Sequence, residues 1–134
     1  MYLIDTDVLV HLLRGNATVI RSMAAHADDF KAISATSFGE LIYGCHRSNH
    51  RAENAAKVYH VAANFPIVAA SESIIDRYGV MKADLVNQGR KLEDFDLVIA
   101  ATALHLGYTL VTGNARHFDR VPGLRIENWA EMQA

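Results

Sequence analysis

The sequence predicts an α/β domain, a mainly parallel central sheet with helices on both faces. Short runs of β-forming apolar residues alternate with longer stretches of helical periodicity, an order that implies crossover connections rather than hairpins. No segment repeats at a fixed period and none is low in complexity. The 134 residues suit a single domain spanning residues 1–134. A chain of this size buries roughly two-thirds of its unfolded surface and needs no staple.

Each element follows from local chemistry. Tyr2-Leu3-Ile4 reads as a short buried strand ending at Asp5. Thr6 or Asp7 then caps a helix in which Val8, Leu9, Leu12 and Leu13 form one apolar stripe. Arg14 and Gly15 close it with a last-turn cation and a residue suited to left-handed backbone. Val19, Ile20, Met23, Ala24 and Ala27 line one face of a second helix, broken by Asp28-Asp29. Phe30 to Ser34 is the next strand. Ser37 starts a helix carrying Phe38, Leu41, Ile42 and Cys45, and a polar turn from His46 to Arg51 leads into another, roughly Ala52 to Asn64.

Phe65-Pro66-Ile67-Val68 is a third strand, with Pro66 marking its start or an edge position. Ser71 to Asn87 is the longest helical pattern, with Ile74, Ile75, Tyr78, Met81 and Leu85 in register, ended by Gln88-Gly89. Leu97 to Leu106 is almost wholly apolar, as a helix buried on most sides is, and Gly107 stops it. Tyr108 to Val111 is a strand leading into the turn Thr112-Gly113-Asn114. A last short strand lies around Leu124 to Ile126, before Trp129.

Composition narrows the function classes. Thirteen basic and fifteen acidic side chains give a net charge of −2, so no overall basic footprint marks a nucleic-acid binder. The single Cys excludes a disulfide framework within the chain and a four-Cys zinc site. No apolar run approaches the roughly 18 residues of a membrane span, and Asp5 follows Met-Tyr-Leu-Ile too soon for a signal peptide. A soluble, cytoplasmic protein with no membrane partner is expected. No G-x-G-x-x-G or P-loop points to a nucleotide cofactor. His46 and His50 stand four apart beside Cys45, but no second cluster completes a tetrahedral set, so they read as polar surface.

Ligands of open parallel sheets bind beyond the carboxyl ends of the strands. Asp5 follows the first strand, Glu40 lies one turn into the helix after the second, and Asp94 and Asp96 open the buried helix. Thr112 and Asn114 follow the Tyr108 to Val111 strand. Each acid also has a purely structural reading. Ser37-x-x-Glu40 fits a capping box, Asp94 or Asp96 could cap a helix, and Asp5 could brace a turn. Gathered in one cleft, however, such carboxylates repel one another and raise each other's pKa unless a cation joins them. Mg²⁺ accepts a few carboxylates while keeping several waters, and such a site suits displacement at phosphorus.

These segments carry a family resemblance. Tyr2-Leu3-Ile4-Asp5-Thr6-Asp7-Val8-Leu9 resembles the opening of PIN domains, a small metal-dependent nuclease fold. Ile33-Ser34-Ala35-Thr36 with Gly39-Glu40-Leu41-Ile42-Tyr43-Gly44 resembles their second acidic motif, and Asp94-Phe95-Asp96-Leu97-Val98-Ile99-Ala100-Ala101 the third. Leu110 to Phe118, then Val121-Pro122-Gly123-Leu124 and Glu127-Asn128-Trp129, resemble the closing segment. Together they run in order from residue 2 to 129. The match is to the VapC-type toxin branch, in which a VapB-type antitoxin restrains a PIN ribonuclease.

The resemblance implies a single PIN-like domain and an endoribonuclease using Mg²⁺, or Mn²⁺ in its place, as one or two ions. It makes Asp5, Glu40 and Asp96 the catalytic, metal-binding carboxylates; Asp96 precedes Leu-Val-Ile-Ala-Ala directly and so takes the third place over Asp94. Where many relatives have an acid before the closing Phe, this chain has His117. Asp119, or Asn114 and Asp94 acting through water, are the candidates to complete the set. Thr6, Thr36 and Thr112 have hydroxyls suited to orienting carboxylates. Arg14, Arg90, Lys91, Arg116 and Arg120 lie near the expected cleft edges and are candidates to hold RNA phosphates. A homodimer and an antitoxin groove are further implications. Two rivals stand beside this reading. Asp5-Thr6-Asp7 imitates the nucleophile and acid/base pair of a haloacid-dehalogenase-like phosphatase, and a degenerate PIN-like module would only bind a partner.

Overall fold

The computed structural model describes residues 1–131. Its strands are β1 (Tyr2–Ile4), β2 (Lys31–Ser34), β3 (Ile67–Val68), β4 (Thr109–Val111) and β5 (Ile126–Glu127). All pair in parallel, in the order β3-β2-β1-β4-β5. The helices are α1 (Thr6–Leu13), α2 (Ala17–Ala25), α3 (Ala35–Arg47), α4 (Arg51–Ala63), α5 (Glu72–Asn87), α6 (Asp94–Leu106) and the single turn α7 (Ala115–Phe118). The predicted α/β class and the parallel sheet covered on both faces are what the structure shows.

Period-two alternation along the central strands divides the core into two layers. Leu3, Ala32 and Leu110 face a cluster with Leu85 of α5, Leu97 and Ile99 of α6, and Phe118 of α7. Their chain neighbours Ile4, Ile33 and Val111 face Val8 and Leu9 of α1, Leu41 and Cys45 of α3, and Val58 of α4. Strands buried on both sides must be apolar at every position, which is why these runs are so short and so legible. The chain winds from β1 outward through β2 to β3, then returns to place β4 on the other side of β1. The strand order therefore reverses between β1 and β4, and a crevice opens there.

Several element starts differ from the sequence reading. Asp5, not Thr6 or Asp7, caps α1, its Oδ1 accepting from Thr6 N at 2.8 Å. Ser34 caps α3 through Ser37 N at 3.0 Å, so Ser37 lies inside the helix and the expected Ser37–Glu40 capping box does not form. Glu93 precedes α6, so neither Asp94 nor Asp96 is its cap. The α2 stripe holds for Val19, but Ile20 turns outward. The last strand falls at Ile126–Glu127, one to two residues later than expected. Pro66 does mark an edge: β3 closes one side of the sheet, and the Pro66 carbonyl accepts from Ile33 N at 2.9 Å.

Trp129 seals the end of the chain against its beginning. Its buried ring stacks on His26 (4.4 Å between centroids, 8° between planes) and meets Tyr2 of β1 edge-on at 5.0 Å. Trp129→Ala is expected to cost about 3–5 kcal/mol, read as a lower urea midpoint with unchanged slope.

Candidate metal centre

The crevice between β1 and β4 is where the acidic side chains meet. Asp5 leaves the end of β1 and is only 4% exposed. Its Oδ1 accepts from Thr6 N at 2.8 Å and its Oδ2 from the Thr112 hydroxyl, just past β4, at 2.8 Å. Burial, then repulsion from Asp7, pushes its carboxyl up to about 7, against the lowering effect of those two hydrogen bonds.

Thr6 uses its other polar group on a different acid. Its hydroxyl donates to Glu40 Oε1 at 2.7 Å, joining the start of α1 to α3 across the crevice. Because α3 starts at Ala35, Glu40 stands within the helix and its carboxylate is free to reach Thr6. Thr36 is half-buried in the first turn of α3 but takes no part in this network among the described residues.

Asp96, in the first turn of α6, is half-buried and faces the same space. Burial raises its pKa and Glu40, Glu93 and Asp7 add repulsion, while His117 lowers it. His117 Nε2 stands 3.4 Å from Asp96 Oδ2. The structure thus brings Asp5, Glu40 and Asp96 into one electrostatic group.

Asp7 belongs to that group, although the sequence reading gave it only a capping role or a part in a phosphatase. Its Oδ1 accepts from Val8 N at 2.8 Å and its Oδ2 from Gly113 N at 2.9 Å. A Cβ on Gly113 would fall 2.5 Å from that oxygen, so the Thr-Gly-Asn turn needs glycine for close approach. That glycine was the available signal that a side chain from elsewhere meets the turn.

The auxiliary candidates separate. Asp94 points away: its Oδ1 accepts from Tyr78 Oη and Lys82 Nζ, both at 2.8 Å, tying α6 to α5. The Lys82 bond, then Tyr78, holds its pKa below the ordinary range. Asn114 is exposed and donates its backbone N–H to the Thr112 hydroxyl at 3.0 Å. Asp119 lines a shallow groove with Gly89, Arg90, Arg116 and Arg120 on the outer side of α7. Lys91 lies beside His117 and Asp94 in a neighbouring groove, and Arg14 shares one with Glu40. Cys45 is buried in the core, while His46 and His50 are exposed.

Among the described residues, no three Asp, Glu, His or Cys side chains form a ready-made ion cage. Like charges keep apart: Glu40 is held by the Thr6 hydroxyl, and Asp96 stands 3.4 Å from His117 Nε2. The donor set still has hard-cation chemistry: several carboxylates share one crevice, and two of them have raised pKa values. The residues fit a divalent ion.

The fold and the sequence of the chain both have known relatives. The family model for the PIN domain matches residues 2–124, and the chain belongs to that family. Within it, the similarity is to VapC proteins. The chain is 29% identical over 129 residues to the tRNA(fMet)-specific endonuclease VapC of Shigella flexneri, covering 96% of this chain and 98% of that one. To ribonuclease VapC2 of Haemophilus influenzae it is 30% identical over 128 residues, with coverage of 96% and 97%. The fold matches VapBC2 from Rickettsia felis, solved bound to a promoter DNA fragment, with a TM-score of 0.90 at 28% identity and coverage of 96% and 98%. It matches DNA-bound VapBC from Salmonella typhimurium with a TM-score of 0.89 at 26% identity, covering 96% and 97%.

Asp5 sets a pH dependence for the metal-free protein. Its folded pKa of about 7 lies above the ordinary 3.8, so the folded state binds the proton more tightly. The stability it contributes is complete below about pH 4 and is lost as pH rises through 7, up to about 4 kcal/mol. In EDTA, wild type is expected to melt at a lower temperature at pH 8 than at pH 5, and Asp5→Asn to show a smaller difference, since Asp96 also has a raised pKa.

Proposed function

We propose that this chain is a metal-dependent endoribonuclease toxin of the VapC type, hydrolysing RNA phosphodiester bonds. The observation that carries this is the meeting of Asp5, Glu40 and Asp96, from three distant segments, at the switch point of a PIN-family sheet. Those three carboxylates would hold Mg²⁺, or Mn²⁺ in its place. When bound, one or two such ions supply Lewis acidity and a water of lowered pKa for attack at phosphorus.

The chain's own residues prepare the site. Thr112 and Thr6 N fix the rotamer of Asp5, the Thr6 hydroxyl orients Glu40, and Asp7 anchors the turn after β4. Arg90, Arg116 and Arg120 share one groove beside α7, and none of the three is ion-paired among the described residues. Arg120 is braced by the Lys91 carbonyl at 2.6 Å. Three guanidinium groups gathered in one groove suit contact with the phosphates of an RNA strand.

The similarity to VapC chains of VapBC complexes supports a VapB-type antitoxin as partner. A groove between α1, α3 and α4, lined by Val10, Leu13, Gly44 and Val58, reaches Glu40 and suits an inserted antitoxin segment. Exposed Ile75 and Val86, about 20° apart around α5, support a homodimer face. A cytoplasmic location agrees with this role, and no described helix is long and apolar enough to cross a membrane. The phosphatase reading is disfavoured because both oxygens of Asp7 are occupied by backbone N–H groups.

Purified, antitoxin-free protein is expected to cleave RNA with Mg²⁺ or Mn²⁺ and to stop in EDTA. Asp5→Asn and Asp96→Asn should each lose on the order of 10²-fold or more, while Asp7→Asn keeps cleavage with a lowered melting temperature. Inert wild type, or phosphomonoesterase activity that needs Asp7, would overturn the reading. In an Asp5→Asn background, Arg90→Ala with Arg116→Ala should weaken RNA binding and lower the salt slope by about one per lost phosphate contact.

A further inference from the structure

His117 is placed in a way that hydrogen bonding does not explain. The ring as a whole is 41% exposed, yet its Nε2 is buried and has no hydrogen-bond partner. Buried polar atoms are paired in the great majority of cases, so an orphan needs a cause. Its acidic neighbour is Asp96, with Oδ2 at 3.4 Å, beyond the roughly 2.7–2.9 Å of a charge-assisted hydrogen bond. Another histidine of this chain does make that bond: His26 Nδ1 lies 2.8 Å from Asp29 Oδ2.

The wider spacing has a different meaning. Two donors at right angles on one ion, each about 2.1 Å from it, stand about 3.0 Å apart. The Asp96–His117 pair, at 3.4 Å, is a few tenths of an ångström wider than that separation, and Nε2 has no hydrogen-bond partner among the described residues. Nor is the ring free to leave, because Phe118 next to it is sunk in the core and pins the single turn α7. An enclosed imidazole nitrogen beside a carboxylate is half of a mixed nitrogen–oxygen coordination sphere.

We propose that His117 Nε2 is a metal ligand alongside Asp96, so that the centre takes a borderline ion such as Mn²⁺ in preference to Mg²⁺. Imidazole adds little for Mg²⁺, which favours oxygen and water, and adds affinity along the first-row series from Mn²⁺ onward. The inference rests on the metal-centre reading above and names one of its ligands.

The test is pulsed electron paramagnetic resonance on the full chain loaded with Mn²⁺ alone, without RNA. Wild type is expected to show ¹⁴N modulation from a coordinated imidazole. His117→Asp keeps an oxygen donor at the position and is expected to bind Mn²⁺ without that modulation. Competition titrations should show its preference for Mn²⁺ over Mg²⁺ reduced by about tenfold or more. Bound Mn²⁺ with no ¹⁴N modulation in wild type, or modulation that survives His117→Asp, overturns the proposal and leaves the metal centre standing. Failure of both proteins to bind Mn²⁺ overturns the metal centre itself and the proposal with it.

Discussion

The burial of one carboxylate organises the crevice. Asp5 sits at the end of a central strand, away from water, where ionisation is opposed by the low dielectric and by Asp7. Two hydrogen bonds hold it, one from the start of the next helix and one from beyond β4. The second exists only because the sheet winds both ways from β1. A hairpin fold would place the end of the neighbouring strand at the opposite edge, and Asp5 would lose Thr112.

Hydroxyl groups spread that constraint through the site. Thr6 serves Asp5 with its backbone and Glu40 with its side chain, while Thr112 donates to Asp5 and accepts from Asn114. Asp7 closes the arrangement by holding Gly113. The acids are therefore positioned through donors on β-strand exits and helix starts, the most rigid places available. Their mutual repulsion is retained, because neutral hydroxyls orient a charge without cancelling it. A cleft built this way keeps its appetite for cations.

Much of this was legible in the sequence because strands buried on both faces announce themselves as short apolar runs. Acids at the ends of such runs have only one edge of the sheet to occupy. What stayed hidden depended on distances of one or two residues. The caps fell on Asp5 and Ser34 because each strand runs straight into its helix, leaving no separate turn for Thr6 or Ser37 to cap. Asp94 and Asp96 lie about 200° apart around α6, so only one can face the cleft. Lys82 and Tyr78 of α5 claim Asp94, a long-range fact with no local mark. α7 is too short for periodicity to reveal, although His117 stood where the resemblance expects an acid, and the structure sets it beside Asp96. Asp7 looked like a cap because its partner is 106 residues away.

The same long reach shapes how the protein comes into being on a ribosome. β1 is synthesised well before its neighbour β4, the Thr112 hydroxyl and the sealing Trp129. A nascent chain halted anywhere before residue 112 has Asp5 and Glu40 but lacks Thr112, the donor that buries and orients Asp5. Assembly of the crevice waits for residue 112, so a product truncated before it has no complete centre.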